Sequence, residues 1–103
     1  MQNFRLFYKP FPPEIHGKIG GVTGGKPGGR LTVMIDSTLT EEEQKKTLKH
    51  ELAHIALGHL EDDRANRANY LKNVMELEAE ADAKADSMTE AEFNSLMQWQ
   101  ITF

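Results

Sequence analysis

Apolar and polar positions alternate in the first third of the chain and recur at three- and four-residue spacing in the rest, which predicts strands first and helices after them. Residues 3–8 (NFRLFY) alternate loosely around aromatic side chains and predict a first strand, stopped by Pro10, Pro12 and Pro13. Residues 14–19 predict a short second strand with His16 inside it. The glycine-rich stretch 17–29 that follows predicts a flexible turn. Residues 31–36 (LTVMID) give the clearest strand signal: β-branched and apolar residues set between Gly28-Gly29 and Asp36-Ser37. Leu31, Val33 and Ile35 fall on one face of it, and Thr32, Met34 and Asp36 on the other.

The period then changes. Thr40 followed by Glu41, Glu42 and Glu43 reads as a capping box with three acids at the positive end of a helix dipole. That helix is expected over 41–57, ended by Gly58, with Leu48, Leu52 and Ile55 on its core side. Residues 60–69 are polar and predict a connecting loop. A capping signal at Asn73 to Glu76 opens a second helix over 74–88, rich in Ala and Glu. A third helix starts at the capping box Thr89 to Glu92, with Phe93, Leu96, Met97 and Ile101 as its apolar side. Met97 and Trp99 read as core or partial-core residues.

The first helix also carries chemistry. His50, Glu51 and His54 spell H-E-x-x-H. Residues four apart on a helix lie one turn apart on one face, so the two imidazoles converge on a single cation. Glu51 stands about 100° further round, placed to act on a water without ligating the metal itself. Thr47 shares this face, while the leucines and Ile55 lie on another, so the helix has one apolar stripe and one chemical stripe. A strand lying beside such a helix, residues 31–36 here, is expected to pair as an edge with an extended substrate. His59 follows His54 by five residues and does not fit the spacing of a third histidine ligand in the metzincins; it is read as an outer-shell donor or a structural residue. His16 is read as an exposed polar residue.

A zinc ion held by two histidines needs a further protein ligand. Glu76, Glu78, Glu80, Asp82 and Asp86 on the acidic second helix all compete for that role. Spacing favours Glu78, because Asp82 lies one turn further on the same face, where it can accept the second N–H of a ligand imidazole. Glu80 is the main rival. Ala79, Ala81, Ala83 and Ala85 let this helix come close to the first.

Composition narrows the function. The chain has 103 residues and is expected to form one domain over 1–103; 39% of its residues are hydrophobic and 27% charged, as in ordinary globular proteins. Its net charge of −4 argues against a nucleic-acid-binding surface as the main function. No apolar run is long enough to span a membrane, and the N-terminus lacks the pattern of a secretory signal. Without cysteine there is neither a disulfide framework nor a thiolate metal site, and a cytoplasmic location is expected. Gly20 to Pro27 (GGVTGGKP) nearly matches the phosphate-binding loop G-x-x-x-x-G-K-S/T. It fails because Pro27 replaces the magnesium-binding hydroxyl and a strand follows instead of a helix.

With HELAHIALGH at 50–59, the strand at 31–36 and EAEADAKA at 78–85, the chain resembles the ImmA/IrrE family of bacterial and phage metallopeptidases. Their pattern runs H-E-x-x-H, often extended by L-G-H, then E-x-E-A-D/N-x-F-A; Lys84 stands here where the family usually has Phe. The resemblance covers residues 30–86. It implies a zinc-dependent endopeptidase with His50, His54 and Glu78 as zinc ligands, Glu51 as catalytic base and Asp82 in the outer shell. It also implies a protein substrate of the kind such enzymes cleave or inactivate, a helix-turn-helix repressor. The expected architecture is α+β, a minimal zincin-like domain: a small, mostly antiparallel sheet on the H-E-x-x-H helix, plus two further helices. The competing reading is a non-catalytic interaction protein that binds a repressor or partner through a fold with a structural or vestigial zinc site.

Overall fold

Leu31, Val33 and Ile35 have no solvent-accessible surface, and the rest of the molecule is arranged around the strand that carries them. The computed structural model describes residues 1–25, 29–61 and 70–101, with the side chains of 70–72 left aside. Three strands, β1 (Phe4–Lys9), β2 (Gly21–Gly25) and β3 (Leu31–Asp36), precede three helices, α1 (Glu41–Ala56), α2 (Tyr70–Ser87) and α3 (Glu90–Met97). A 3-10 turn, His59–Glu61, follows α1. The architecture is α+β, as expected.

The sheet order is β1-β3-β2, with β3 in the centre. β1 runs parallel to β3, Phe4 opposite Leu31 through Lys9 opposite Asp36, and β2 runs antiparallel, Gly21 opposite Ile35. The sheet is therefore mixed rather than mostly antiparallel, and β3 is central rather than an edge. Both features have one cause. Residues 14–19 are not a strand, because the Pro12 carbonyl accepts the amides of Ile15 and His16 (both 2.9 Å) and the Ile15 carbonyl that of Lys18 (2.9 Å). Gly17, at φ +86°, turns the chain within this segment. Turn bonds thus take the amides that a ladder would need, and the chain reverses into β2 on the far side of β3.

β2 itself falls in the stretch expected to be a turn. At its start two glycines answer to packing: a Cβ on Gly20, just before the strand, would lie 2.8 Å from Thr47 Oγ1, and one on Gly21 2.8 Å from Thr47 Cγ2. Only a bare backbone comes this close to α1 while still pairing with β3. Lys26 and Pro27, the end of the near-match to a phosphate loop, lie outside the described residues.

α1 begins as its sequence dictates. Thr40 Oγ1 accepts the Glu43 amide and the Glu43 carboxylate accepts the Thr40 amide, both at 3.2 Å. Gly58, at φ +70°, ends it. Its buried residues Leu48, Leu52, Ala53 and Ile55 join Phe4 and the β3 side chains in the core, to which Ala81 of α2, Met88 and Phe93 of α3 also belong. α2 starts at Tyr70, so Asn73 is inside the helix and not its cap. Thr89 caps α3 by accepting the Glu92 amide (3.1 Å), but the Glu92 carboxylate turns away to Lys84 (3.0 Å) and no box closes. The chain after α3 returns to β1, where Phe4 donates to the Trp99 carbonyl and Ile101 donates to that of Phe4. Met97 packs against the core, whereas Trp99 stands 42% exposed. Most of 60–69, expected as a loop, lies outside the described residues. Among the described residues, no helix is long and apolar enough to cross a membrane.

At the end of β3, Asp36 is fully buried. It accepts hydrogen bonds from the Thr38 hydroxyl (2.7 Å) and amide (3.0 Å) and from the Phe11 amide (3.3 Å), and meets His16 Nδ1 at 2.7 Å. His16 is thus half-exposed but engaged. Burial works against the Asp36 charge, yet the bonds from His16, Thr38 and Phe11 outweigh it and hold the carboxyl well below the usual carboxylate range. A depressed folded-state pKa gives stability that is present above the unfolded value, about 3.9, and lost as pH falls through the folded one. Asp36→Asn is therefore expected to lower the melting temperature at pH 7, and thermal unfolding scans should show the gap to the parent closing below about pH 4.

Candidate metal centre

The last two turns of α1 place His50 and His54 one above the other, ring centroids 4.7 Å apart, with their Nε2 atoms 3.1 Å from each other. α2 packs against α1, and its Ala81 has no accessible surface, so this small residue is buried in the packing. The close approach brings Glu78 across the gap. One carboxylate oxygen lies 2.8 Å from His50 Nε2 and the other 3.0 Å from His54 Nε2. Asp82, one turn along α2, meets the opposite nitrogen of His50, Nδ1, at 2.8 Å.

His54 has a different outer partner. Its Nδ1 lies 2.9 Å from Nδ1 of His59, which the 3-10 turn after Gly58 folds back against α1. His59 is buried, 5% exposed, and its Nε2 meets Glu80 at 3.1 Å. Glu80, the rival of Glu78 by sequence, thus points to His59 while Glu78 meets the paired imidazoles. The two carboxylates are about 200° apart around α2, which lets one helix serve both contacts.

Glu51 faces the sheet side of the same site. It is 6% exposed, and one of its oxygens accepts the Thr23 hydroxyl of β2 at 2.8 Å. Burial pushes its carboxyl up from the ordinary glutamate value; the Thr23 bond and the neighbouring His50 offset part of this, and the charge of Glu78 adds to it. The pKa of His54 is pushed down, first by burial and further by His50 and His59, against the pull of Glu78. The Thr23 contact could not be read from the sequence, since the residue sits in a stretch whose composition signals a turn.

Ligand-type atoms of His50, Glu51 and His54 lie within 4.8 Å of one another. Within this group Glu51 is hydrogen-bonded to Thr23, whereas Glu78 bridges the two Nε2 atoms. Three nitrogen or oxygen ligands at about 2.0–2.1 Å from a tetrahedral zinc lie about 3.3 Å apart. The separations of 2.8, 3.0 and 3.1 Å among Glu78, His54 and His50 are close to that requirement. The donor set fits a metal ion of the zinc type.

The group opens onto a cleft of about 760 Å³ between β2, α1 and α2. Lys18, Ile19 and Val22 line one wall, and Leu77, Glu78 and Asp82 the other. β2 borders the cleft as an edge strand, paired only with β3 among the described residues.

An H-E-x-x-H helix beneath an edge strand, faced by carboxylates from a second helix, defines a metallopeptidase-type domain. The chain belongs to the peptidase family described as the IrrE N-terminal-like domain, whose model matches residues 2–102. The match reaches well beyond the segment 30–86 on which the sequence resemblance rests. No curated protein and no solved structure matches the chain.

Proposed function

We propose that the chain is a zinc-dependent endopeptidase in which His50, His54 and Glu78 hold the metal and Glu51 is the catalytic base. The observation that carries this reading is the meeting of the Glu78 carboxylate with both Nε2 atoms. A zinc ion held there supplies the positive charge that polarises the scissile carbonyl and acidifies the attacking water. Glu51 takes the proton of that water and passes it to the leaving amine. Burial makes its carboxylate a stronger base than an exposed glutamate, and Thr23 holds one of its oxygens so that the other is aimed at the cleft.

The outer contacts set the imidazole tautomers. Asp82 accepts Nδ1–H of His50, leaving Nε2 bare for a metal. Glu80 accepts Nε2–H of His59, so His59 Nδ1 is free to accept Nδ1–H of His54, and His54 Nε2 is bare in turn. The backbone edge of β2 is the natural partner for an extended substrate strand. The substrate is a protein; on the resemblance to enzymes that act on helix-turn-helix repressors, such a repressor is the first to test, in a cytoplasmic setting. The direct experiment incubates the zinc-loaded protein with a proteome-derived peptide library and reads new termini by mass spectrometry. Cleavage that stops on chelation and returns with zinc is expected. A zinc-saturated, folded protein that cuts nothing would overturn the reading.

A further inference from the structure

The charges of the cleft are unevenly matched. Its acids are all engaged: Glu51 with Thr23, Glu78 with both imidazoles, Asp82 with His50. Its two lysines, Lys18 and Lys46, are not: neither has an ion-pair partner among the described residues. Among the described side chains, three lysines of the helices are paired. Lys45 and Lys49 both reach Glu90, at 2.9 and 3.5 Å, and Lys84 reaches Glu92 at 3.0 Å. Glu42, one turn before Lys46 and well placed for an intrahelical pair, does not take it up. Lys18 and Lys46 thus bring two unpaired positive charges to the cleft beside the candidate metal centre, in a protein of net charge −4.

Their position says where a partner would lie. Lys46 precedes Thr47, whose side chain packs against Gly20 and Gly21, and Lys18 leads into the same glycines. Both therefore stand at the Gly20–Gly21 end of β2. Thr23, which touches Glu51, is two residues further on, about 7 Å along an extended strand. A substrate strand laid along β2 would bring to the lysines a group two or three residues from the bond attacked beside Glu51.

We propose that Lys18 and Lys46 form a carboxylate-binding subsite, so that the preferred substrate carries a carboxylate two or three residues from the scissile bond. This rests on the endopeptidase reading for the site but assigns it a substrate class. The carboxylate can belong to an Asp or Glu side group or to the free C-terminus of the substrate. Lysine suits either, being a flexible, hydrated point charge that needs no fixed geometry. Exposed pairs of this kind are individually weak and screened by salt, so the preference should be moderate and should fade at high ionic strength.

The test uses one peptide core with Asp, Asn or Lys placed at each position around the cleaved bond, and a matched pair ending at the preferred position as free acid or amide. Zinc-loaded parent, Lys18→Glu/Lys46→Glu and, as a control outside the cleft, Lys9→Glu are compared. For the parent, kcat/KM should be about three- to tenfold higher with Asp than with Asn at one position on one side of the bond. The double variant should lose that preference or invert it toward Lys, and Lys9→Glu should keep it. A free acid that substitutes for the Asp identifies the C-terminus as the source; an amide that is cut equally well identifies the Asp or Glu side group. An Asp/Asn ratio near one in the parent, or one unchanged in the double variant, overturns the proposal. The same peptides are titrated onto zinc-loaded Glu51→Gln by fluorescence anisotropy. Absence of cleavage with retained acidic preference in binding would sink the peptidase reading and leave the subsite standing; absence of both removes the subsite too.

Discussion

Glu51→Gln is expected to abolish peptide cleavage, lowering kcat by roughly 10²- to 10⁴-fold, while zinc remains bound with an affinity close to that of the parent. The two halves of this result separate the roles of adjacent residues. Glu51 is hydrogen-bonded to Thr23 and faces the sheet side of the cleft, whereas Glu78 spans the two imidazoles. Glutamine keeps the shape and can still meet Thr23, but its amide cannot take a proton from water. Rates on a peptide found in the library screen, with zinc measured by competition against a chromogenic chelator, check both halves. Loss of zinc together with activity would make Glu51 a ligand; full activity would remove it as the base.

The same variant carries a stability signature in the metal-free protein. Burial raises the Glu51 pKa in the folded state, so the fold favours the protonated acid. The favourable contribution is complete below the unfolded value, about 4.3, and is lost as pH rises through the folded one. Once ionised, the parent carries the cost of a nearly buried charge that glutamine spares it. Metal-free Glu51→Gln should thus melt at or above the parent at neutral pH, and its advantage should shrink below about pH 4.

The parts of the molecule that local chemistry specifies were legible in the sequence. α1 announces itself through the Thr40–Glu43 box, the glycine at 58 and an apolar stripe at helical spacing, and β3 through six residues between two turn signals. β2 was not legible, because a strand of GVTGG has no side-chain signature. What makes it a strand is pairing with β3 and the need to pass within contact of Thr47, and both are long-range conditions. The same holds for residues 14–19, where two isoleucines and a histidine suggest a strand and the Pro12 carbonyl collects their amides instead. At the candidate metal centre, the two histidines follow from four-residue spacing. The partition of α2 carboxylates, Glu78 and Asp82 toward His50 and Glu80 toward His59, has a signal in the sequence only through the one-turn interval between 78 and 82. Thr23 beside Glu51 joins positions 28 residues apart and has none.

Removing the metal is expected to lower the melting temperature by about 15 °C or more relative to protein held at a thousandfold excess of free zinc over its Kd. Binding at that ratio is worth about 4 kcal/mol, and in a domain of this size each kcal/mol moves the midpoint by roughly 4–8 °C. α1 is fastened to β3 by Leu48, Leu52, Ala53 and Ile55, whereas α2 offers the core chiefly Leu77 and Ala81, with Ala85 partly covered. Its carboxylates are largely exposed, Glu78 by 52% and Asp82 by 69% of their side-chain surface, so their pairs with histidine contribute little in water on their own. A cation shared by His50, His54 and Glu78 would tie the two helices at the point where apolar contact is thinnest. Hydrogen exchange should therefore quicken first in α2 on chelation, with β3 and the middle of α1 still protected. Uniform loss of protection, or a melting temperature indifferent to zinc, would show that α2 is held by its alanines and Leu77 alone and that the carboxylate of Glu78 does not complete a metal site.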